Sequence, residues 1–262
     1  MKIWWQSSRS FKEGPGGEAF RESLLEYLNS FKGQDVEITI GGVDQGSQHF
    51  GYDTVGVLTY AAPGGILNKI IRAEEQGYDG AVIGCYNDIG LREAREMCNF
   101  PVYGVFETSV HLACMLGDRF SGVAINEKQA RLYGRIVREY GVKDKALPFA
   151  AINTSLEEVL RFVDQPGELI KRFKEAAQKV ASEGAEVIIP ACGILNVVMA
   201  KDKIREIDGA VVLSDGYAVV LKFAEAMIRL YREIGLTTSK KLSYASPSKE
   251  HLREIMSTYM FR

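Results

Sequence analysis

Two segments of the 262-residue chain share one pattern, and each carries a cysteine. They are Gly77-Tyr78-Asp79-Gly80-Ala81-Val82-Ile83-Gly84-Cys85 and Gly184-Ala185-Glu186-Val187-Ile188-Ile189-Pro190-Ala191-Cys192. Each reads as a glycine-closed helix end, a short apolar strand, the cysteine, and the start of a new helix. Each is preceded by a Pro-Gly pair, Pro63-Gly64 or Pro166-Gly167, and a charged amphipathic helix. Two thiols on one substrate suit proton transfer at a carbon beside a carbonyl. One thiolate takes a proton from one face while the other thiol returns one to the opposite face. That chemistry inverts a stereocentre without a cofactor.

The surrounding elements decide whether such thiols can meet a ligand. In open α/β sheets, ligands bind outside the carboxyl ends of the strands, where Cys85 and Cys192 are expected. Unsatisfied amides at a following helix start favour thiolate, and they can hold a carboxylate or a developing enolate oxygen. Cys98, at a helix end, and Cys114, inside an apolar helix, read instead as small buried hydrophobes. Asp88 reads as a helix N-cap and Asn87 as a donor to a substrate oxygen. Glu107, Thr108 and Ser109 read as capping residues. Asn126 and Asn153 each end a strand and are candidates to face a ligand.

Apolar periodicity predicts strands over 1–6, 36–40, 81–83, 102–105, 122–125, 149–152, 187–189 and 211–213. It predicts helices over 18–31, 66–75, 91–97, 108–116, 127–140, 169–182, 194–203 and 217–234. Short apolar strands alternating with helices specify parallel sheets covered on both faces. The order restarts near Arg119. The two cysteines lie 107 residues apart and the two Pro-Gly pairs 103 apart, as a duplication requires. The expected fold is α/β: two similar doubly wound parallel-sheet half-domains related by a pseudo-twofold, with the active site in the cleft between them. Residues 1–117 are expected to form the first half, 118–213 the second, and 214–235 a long helix packing back on the first. Residues 236–262 form an extension without a counterpart, expected to reach a neighbouring subunit of a homo-oligomer.

Composition narrows the function. Apolar residues make up 46% of the chain and the formal net charge is −2, so a large core is available and no basic excess calls for nucleic acid or an anionic membrane. No apolar run approaches the roughly 20 residues of a membrane span. The N-terminus turns polar too soon for a signal peptide, and a cytoplasmic location with reduced thiols is expected. His49, His111 and His251 are scattered and no Cys-x-x-Cys pair exists, so neither a metal site nor a cofactor is expected. Gly14-Pro15-Gly16-Gly17 lacks the Gly-Lys-Ser/Thr of a phosphate loop.

The segment Cys85-Tyr86-Asn87-Asp88-Ile89-Gly90-Leu91 resembles the first-cysteine segment of hydantoin racemases, with Ile89 where those have proline. Gly104-Val105-Phe106-Glu107, His111-Leu112-Ala113, Leu116-Gly117-Asp118-Arg119-Phe120 and Ala191-Cys192-Gly193-Ile194 are also similar to that family. The resemblance, over roughly residues 1 to 235, is to the aspartate/glutamate/hydantoin racemase superfamily. It implies a cofactor-independent racemase or epimerase with Cys85 and Cys192 as alternating base and acid. The small-molecule substrate would be a 5-substituted hydantoin or an amino-acid-like compound. Gln6, Ser7, Tyr86, Asn87, Asn126 and Gly193 are the implied substrate-binding residues. Two departures touch the pocket. The first strand ends in Trp5-Gln6-Ser7-Ser8 instead of Asn-Pro-Asn-Ser/Thr. Asn126 stands where relatives often carry Thr or Tyr. Maleate cis–trans isomerisation, arylmalonate decarboxylation and an inactive binding module are the alternatives.

Overall fold

The structure is a computed structural model, and it describes residues 1–11, 17–44, 63–154, 158, 166–255 and 257–258. His49 and the segment 14–16 lie outside the described residues. The chain divides into two compact units. One holds the described residues up to Val105 and those from Val220 on; the other holds Phe106–Val219.

The first unit is built on β1 (Lys2–Gln6), α1 (Gly17–Phe31), β2 (Glu37–Gly41), α2 (Pro63–Glu75), β3 (Gly80–Ile83), α3 (Leu91–Met97) and β4 (Val102–Gly104). Its four strands are all parallel, in the order β2-β1-β3-β4. The register aligns Gln6 with Gly41 and with Ile83, and Ile83 with Gly104, so these four residues form the carboxyl edge of the sheet. Helices α2 and α3 bury Ile66, Ile70, Leu91 and Ala94 with Ile83 and Val102 in one apolar cluster.

Helix α4 (Val105–Leu116) follows β4 without a loop. Val105, expected to end a strand, is helical. Glu107, Thr108 and Ser109, expected as caps, therefore lie inside the first turns.

The second unit continues through β5 (Phe120–Ala124), α5 (Glu127–Glu139), a 3₁₀ turn (Lys143–Lys145), β6 (Ala150–Ala151), α6 (Gly167–Ser182), β7 (Val187–Pro190), α7 (Gly193–Lys201), β8 (Glu206–Ile207) and β9 (Ala210–Val212). Its strand order is β6-β5-β7-β9-β8. Without β8, this is the order of the first sheet: second strand, first, third, fourth. β8 is a two-residue antiparallel edge that the periodicity missed. The signal for it is Asp208-Gly209, both left-handed at φ 49° and 81°, the dipeptide that closes a two-residue hairpin. Helix α6 buries Leu169, Phe173, Ala177 and Val180, one apolar stripe at helical spacing.

Helix α8 (Gly216–Ile234) starts in the second unit and from Val220 belongs to the first. There Phe223 meets Tyr103 edge-on at 5.2 Å, and the Gly33 amide donates to Glu225 at 3.0 Å. Arg229 pairs with Asp35 at 2.8 Å. Gly80 makes room for the Ile228 side chain, which a Cβ would meet at 2.7 Å. The described extension includes α9 (Lys249–Ile255) and touches the first unit. Lys240 donates to the carbonyls of Arg95, Glu96 and Cys98 at the end of α3, Ser246 donates to Glu96 O, and Leu252 packs on the apolar cluster.

Candidate active site

Both cysteines follow the third strand of their sheet, one residue beyond its last ladder bond. The Gly84 amide donates to the Gln6 carbonyl at 2.8 Å, across to the first strand, and Cys85 comes next. The Ala191 amide donates to the Val123 carbonyl at 2.9 Å, across to β5, and Cys192 comes next. Each thiol therefore stands at the border of the first and third strands. In a 2-1-3-4 sheet that is the topological switch point, where the flanking connections diverge and leave a crevice.

The two turns differ after the cysteine. Cys192 is itself the N-cap of α7, extended at φ −156°, and its carbonyl receives the Asn196 amide at 2.8 Å. The amides that follow it are free of intrahelical partners by the geometry of any helix start. Cys85 does not open a helix, contrary to the expectation from sequence. The Asp88 amide closes a turn onto the Cys85 carbonyl at 2.8 Å, and α3 begins only at Leu91. Nor is Asp88 the N-cap: that place belongs to Gly90, which offers no side-chain bond. Asp88 (φ 45°) and Gly90 (φ 78°) are both left-handed, which breaks the helical path. The buried Asp88 carboxylate occupies the space beside Gly104, where a Cβ would come within 2.5 Å of Oδ1.

Cys85 is half-buried and packs against the apolar cluster of its unit, while Cys192 is 6% exposed. Cys98 is in the core, where burial, with the charge of Glu74, pushes its thiol up to about 12. Cys114 departs from the expected burial. It is half-buried on the last turns of α4 beside exposed Met115 and Leu116, and desolvation still raises its thiol pKa.

Several expected binding residues sit at the same edges. Gln6 is fully buried; it accepts the Trp4 indole N–H at 2.8 Å and donates to the Ser7 carbonyl at 2.8 Å. Ser7, also buried, accepts the Arg9 amide at 3.1 Å. Two glycines admit the tryptophans, since a Cβ on Gly41 would lie 2.0 Å from Trp4 and one on Gly84 2.1 Å from Trp5. Tyr86 is buried beside Cys85. The Asn87 Oδ1 atom is buried without a hydrogen bond. Asn126 caps α5, accepting the Gln129 amide at 2.9 Å while Gln129 accepts the Ile125 amide at 3.1 Å, a reciprocal capping pair. Asn153 is exposed and left-handed at the end of β6. Among the described residues no three His, Cys, Asp or Glu side chains gather as a metal site, and no helix is long and apolar enough to cross a membrane.

Sequence reading missed two tyrosines. Tyr133, fully buried on α5, donates to the Ala191 carbonyl just before Cys192 and stacks with Phe106 at 4.7 Å and Phe149 at 5.5 Å. The Tyr217 hydroxyl lies over Gly193. Neither contact leaves a local signal, because the partners are distant in the chain.

The two sheets repeat the order 2-1-3-4, and each places a cysteine at its switch point. The family model described as Asp/Glu/Hydantoin racemase matches residues 16–224, and the chain belongs to that family. It is an isomerase of the racemase type. A hydantoin racemase of Pseudomonas sp. (strain NS671) is 32% identical over 192 residues, 73% of each chain. One from Rhizobium meliloti is 30% identical over 183 residues, 70% of this chain and 72% of the relative. In fold, the chain matches an allantoin racemase from Klebsiella pneumoniae with a TM-score of 0.76 at 24% identity, covering 95% of this chain and 94% of that one. It matches a glutamate racemase from Campylobacter jejuni with a TM-score of 0.55 at 18% identity, covering 86% of each.

Proposed function

We propose that this protein interconverts the enantiomers of 5-substituted hydantoins by a two-thiol mechanism without a cofactor. The observation that carries the reading is the matched placement of Cys85 and Cys192, each next to the last ladder bond between the first and third strands of its sheet.

In the reaction, the thiolate of one cysteine removes the proton from ring carbon 5. The bonding pair moves into the adjacent carbonyl, giving an enolate, and the thiolate becomes a thiol. The other cysteine, a thiol, delivers its proton to the opposite face and becomes a thiolate. The product is the mirror image, and the cysteines have exchanged protonation states, ready for the reverse direction. A hydantoin suits this chemistry because its ring proton is more acidic than that of a free amino acid. Amides of the α7 start are donors for the enolate oxygen. The buried, unpartnered Asn87 Oδ1 fits a ring N–H of the substrate. Gln6 and Ser7, whose polar atoms are engaged within their own edge, brace the loop after β1 in this reading. Tyr86, Asn126 and Gly193 complete the binding residues.

The test is racemisation and ring-proton exchange in deuterated water, with a panel of enantiopure 5-alkyl and 5-aryl hydantoins, allantoin (a 5-ureidohydantoin), aspartate and glutamate. Turnover of hydantoins above the amino acids supports the reading; turnover of the amino acids alone contradicts it.

A further inference from the structure

A buried polar side chain follows each cysteine closely. Asp88, 7% exposed, comes three residues after Cys85, and Asn196, 0% exposed, comes four after Cys192. Both bond back to their cysteine in the same way. The Asp88 amide donates to the Cys85 carbonyl and the Asn196 amide to the Cys192 carbonyl, each at 2.8 Å. Both also carry their side chain to the end of the fourth strand of their own sheet. Asn196 Nδ2 donates to the Leu213 carbonyl at 3.4 Å, and the Leu213 amide makes the last bond from that strand to β7, onto Ile188 at 2.9 Å. Asn196 Oδ1 accepts the Tyr217 amide at 3.2 Å, one of the first-turn amides of α8 that no helix satisfies internally. In the first sheet the Asp88 carboxylate fills the Cβ space of Gly104, the last residue of β4 and the one before α4.

The two side chains differ in type and in offset, yet the connection is the same in both units: cysteine turn to fourth-strand end. A buried polar group is costly to shift, because any move that breaks its bonds leaves polar atoms without water. We infer that Asp88 and Asn196 are a matched pair of positioning residues, each holding the turn of its own cysteine against the fourth strand, so that the approach of Cys85 to substrate depends on Asp88 and that of Cys192 on Asn196. The inference rests on the two-thiol reading above.

The test compares wild type with Asp88→Ala, Gly104→Ala, Asn196→Ala and Asn196→Ser. Gly104→Ala displaces the carboxylate while leaving Asp88 in the chain, and Asn196→Ser is the milder change should Asn196→Ala fail to fold. Two readouts are taken: iodoacetamide alkylation of each cysteine, and ring-proton exchange in deuterated water for each enantiomer of 5-isopropylhydantoin. The Asp88 and Gly104 variants should speed alkylation of Cys85 and leave Cys192 at its wild-type rate; the Asn196 variants should do the reverse. Exchange should fall about tenfold to a hundredfold for one enantiomer, the one whose proton the affected cysteine removes, and the two groups of variants should choose opposite enantiomers. A merely structural role would slow both enantiomers alike, and that result would overturn the inference. So would wild-type alkylation and exchange in all the folded variants. The alkylation arm needs no substrate. A wild-type protein that exchanges neither enantiomer would therefore overturn the hydantoin reading alone, and cysteine-selective labelling would still decide the positioning role.

Discussion

The Tyr133 hydroxyl donates to the carbonyl of Ala191, the residue immediately before Cys192. The bond spans 58 residues of chain and is fully buried. It ties the capped helix α5 to the turn that presents the second thiol. Replacing Tyr133 by Phe leaves that carbonyl without its partner, at a cost of about 1–3 kcal/mol in stability. Urea unfolding of the variant should show this as a lower midpoint with an unchanged slope. Because the loosened segment carries Cys192, kcat should fall more than KM rises.

Gly84 sits between Ile83 and Cys85, under the Trp5 indole. A Cβ at 84 would stand 2.1 Å from Trp5 Nε1, and the fully buried ring has no room to retreat. Gly84→Ala should therefore destabilise the protein by about 1–3 kcal/mol, the range for overpacking a well-filled core. It should also displace Cys85 and lower racemisation. Thermal unfolding and activity at a temperature well below the transition separate the two effects.

The four thiols should differ in reactivity. Cys98, in the core with its thiol pushed up to about 12, stays protonated throughout the neutral range. Timed iodoacetamide labelling of the native protein, read by peptide mass spectrometry, should leave Cys98 unmodified until denaturant is added. Cys114, accessible but also raised, should label slowly, and Cys85 faster than either. Native labelling of Cys98 at the rate of Cys85 would contradict this.

Asp79 gives the stability a defined acid limb. Burial opposes its ionisation, but the Lys2 amide at 2.6 Å and Arg232 at 2.5 Å outweigh it and hold the carboxyl below its usual value. A carboxyl with a lowered folded pKa contributes stability above its unfolded pKa and loses it as pH falls through the folded one. Thermal scans between about pH 3 and pH 7 should therefore show Asp79→Asn less stable than wild type near neutrality, with the gap closing toward the acid end.

The positions of both cysteines were legible because short apolar strands and glycine-closed helices bracket them in the same way. α3, over Leu91–Met97, was readable to the residue, and the other major elements to within a few. What escaped was set by backbone conformation or by distant partners. The turn from Cys85 to Asp88 looks like a helix start because Asp is a common cap; only the left-handed Asp88 and Gly90 show otherwise. The missing loop before α4 falls at Gly104, where a Cβ would meet Asp88 and Leu91, partners that lie outside its local pattern. Tyr133 and Tyr217 look like ordinary apolar-face aromatics, and their hydroxyls reach Ala191 and Gly193, which are distant in the chain. Cys114 lies in an apolar stretch, yet its end of α4 leaves Met115 82% exposed, which no local pattern announces.

The most direct measurement is ring-proton exchange in deuterated water with each enantiomer of one 5-substituted hydantoin, for wild type, Cys85→Ala and Cys192→Ala. Each single variant should lose racemisation by about 10²–10⁴-fold, the usual contribution of one general acid or base. Each should still exchange the proton of one enantiomer with retention, because one thiol remains on one face, and the two variants should choose opposite enantiomers. Racemisation by both variants at the wild-type rate would contradict the two-thiol account.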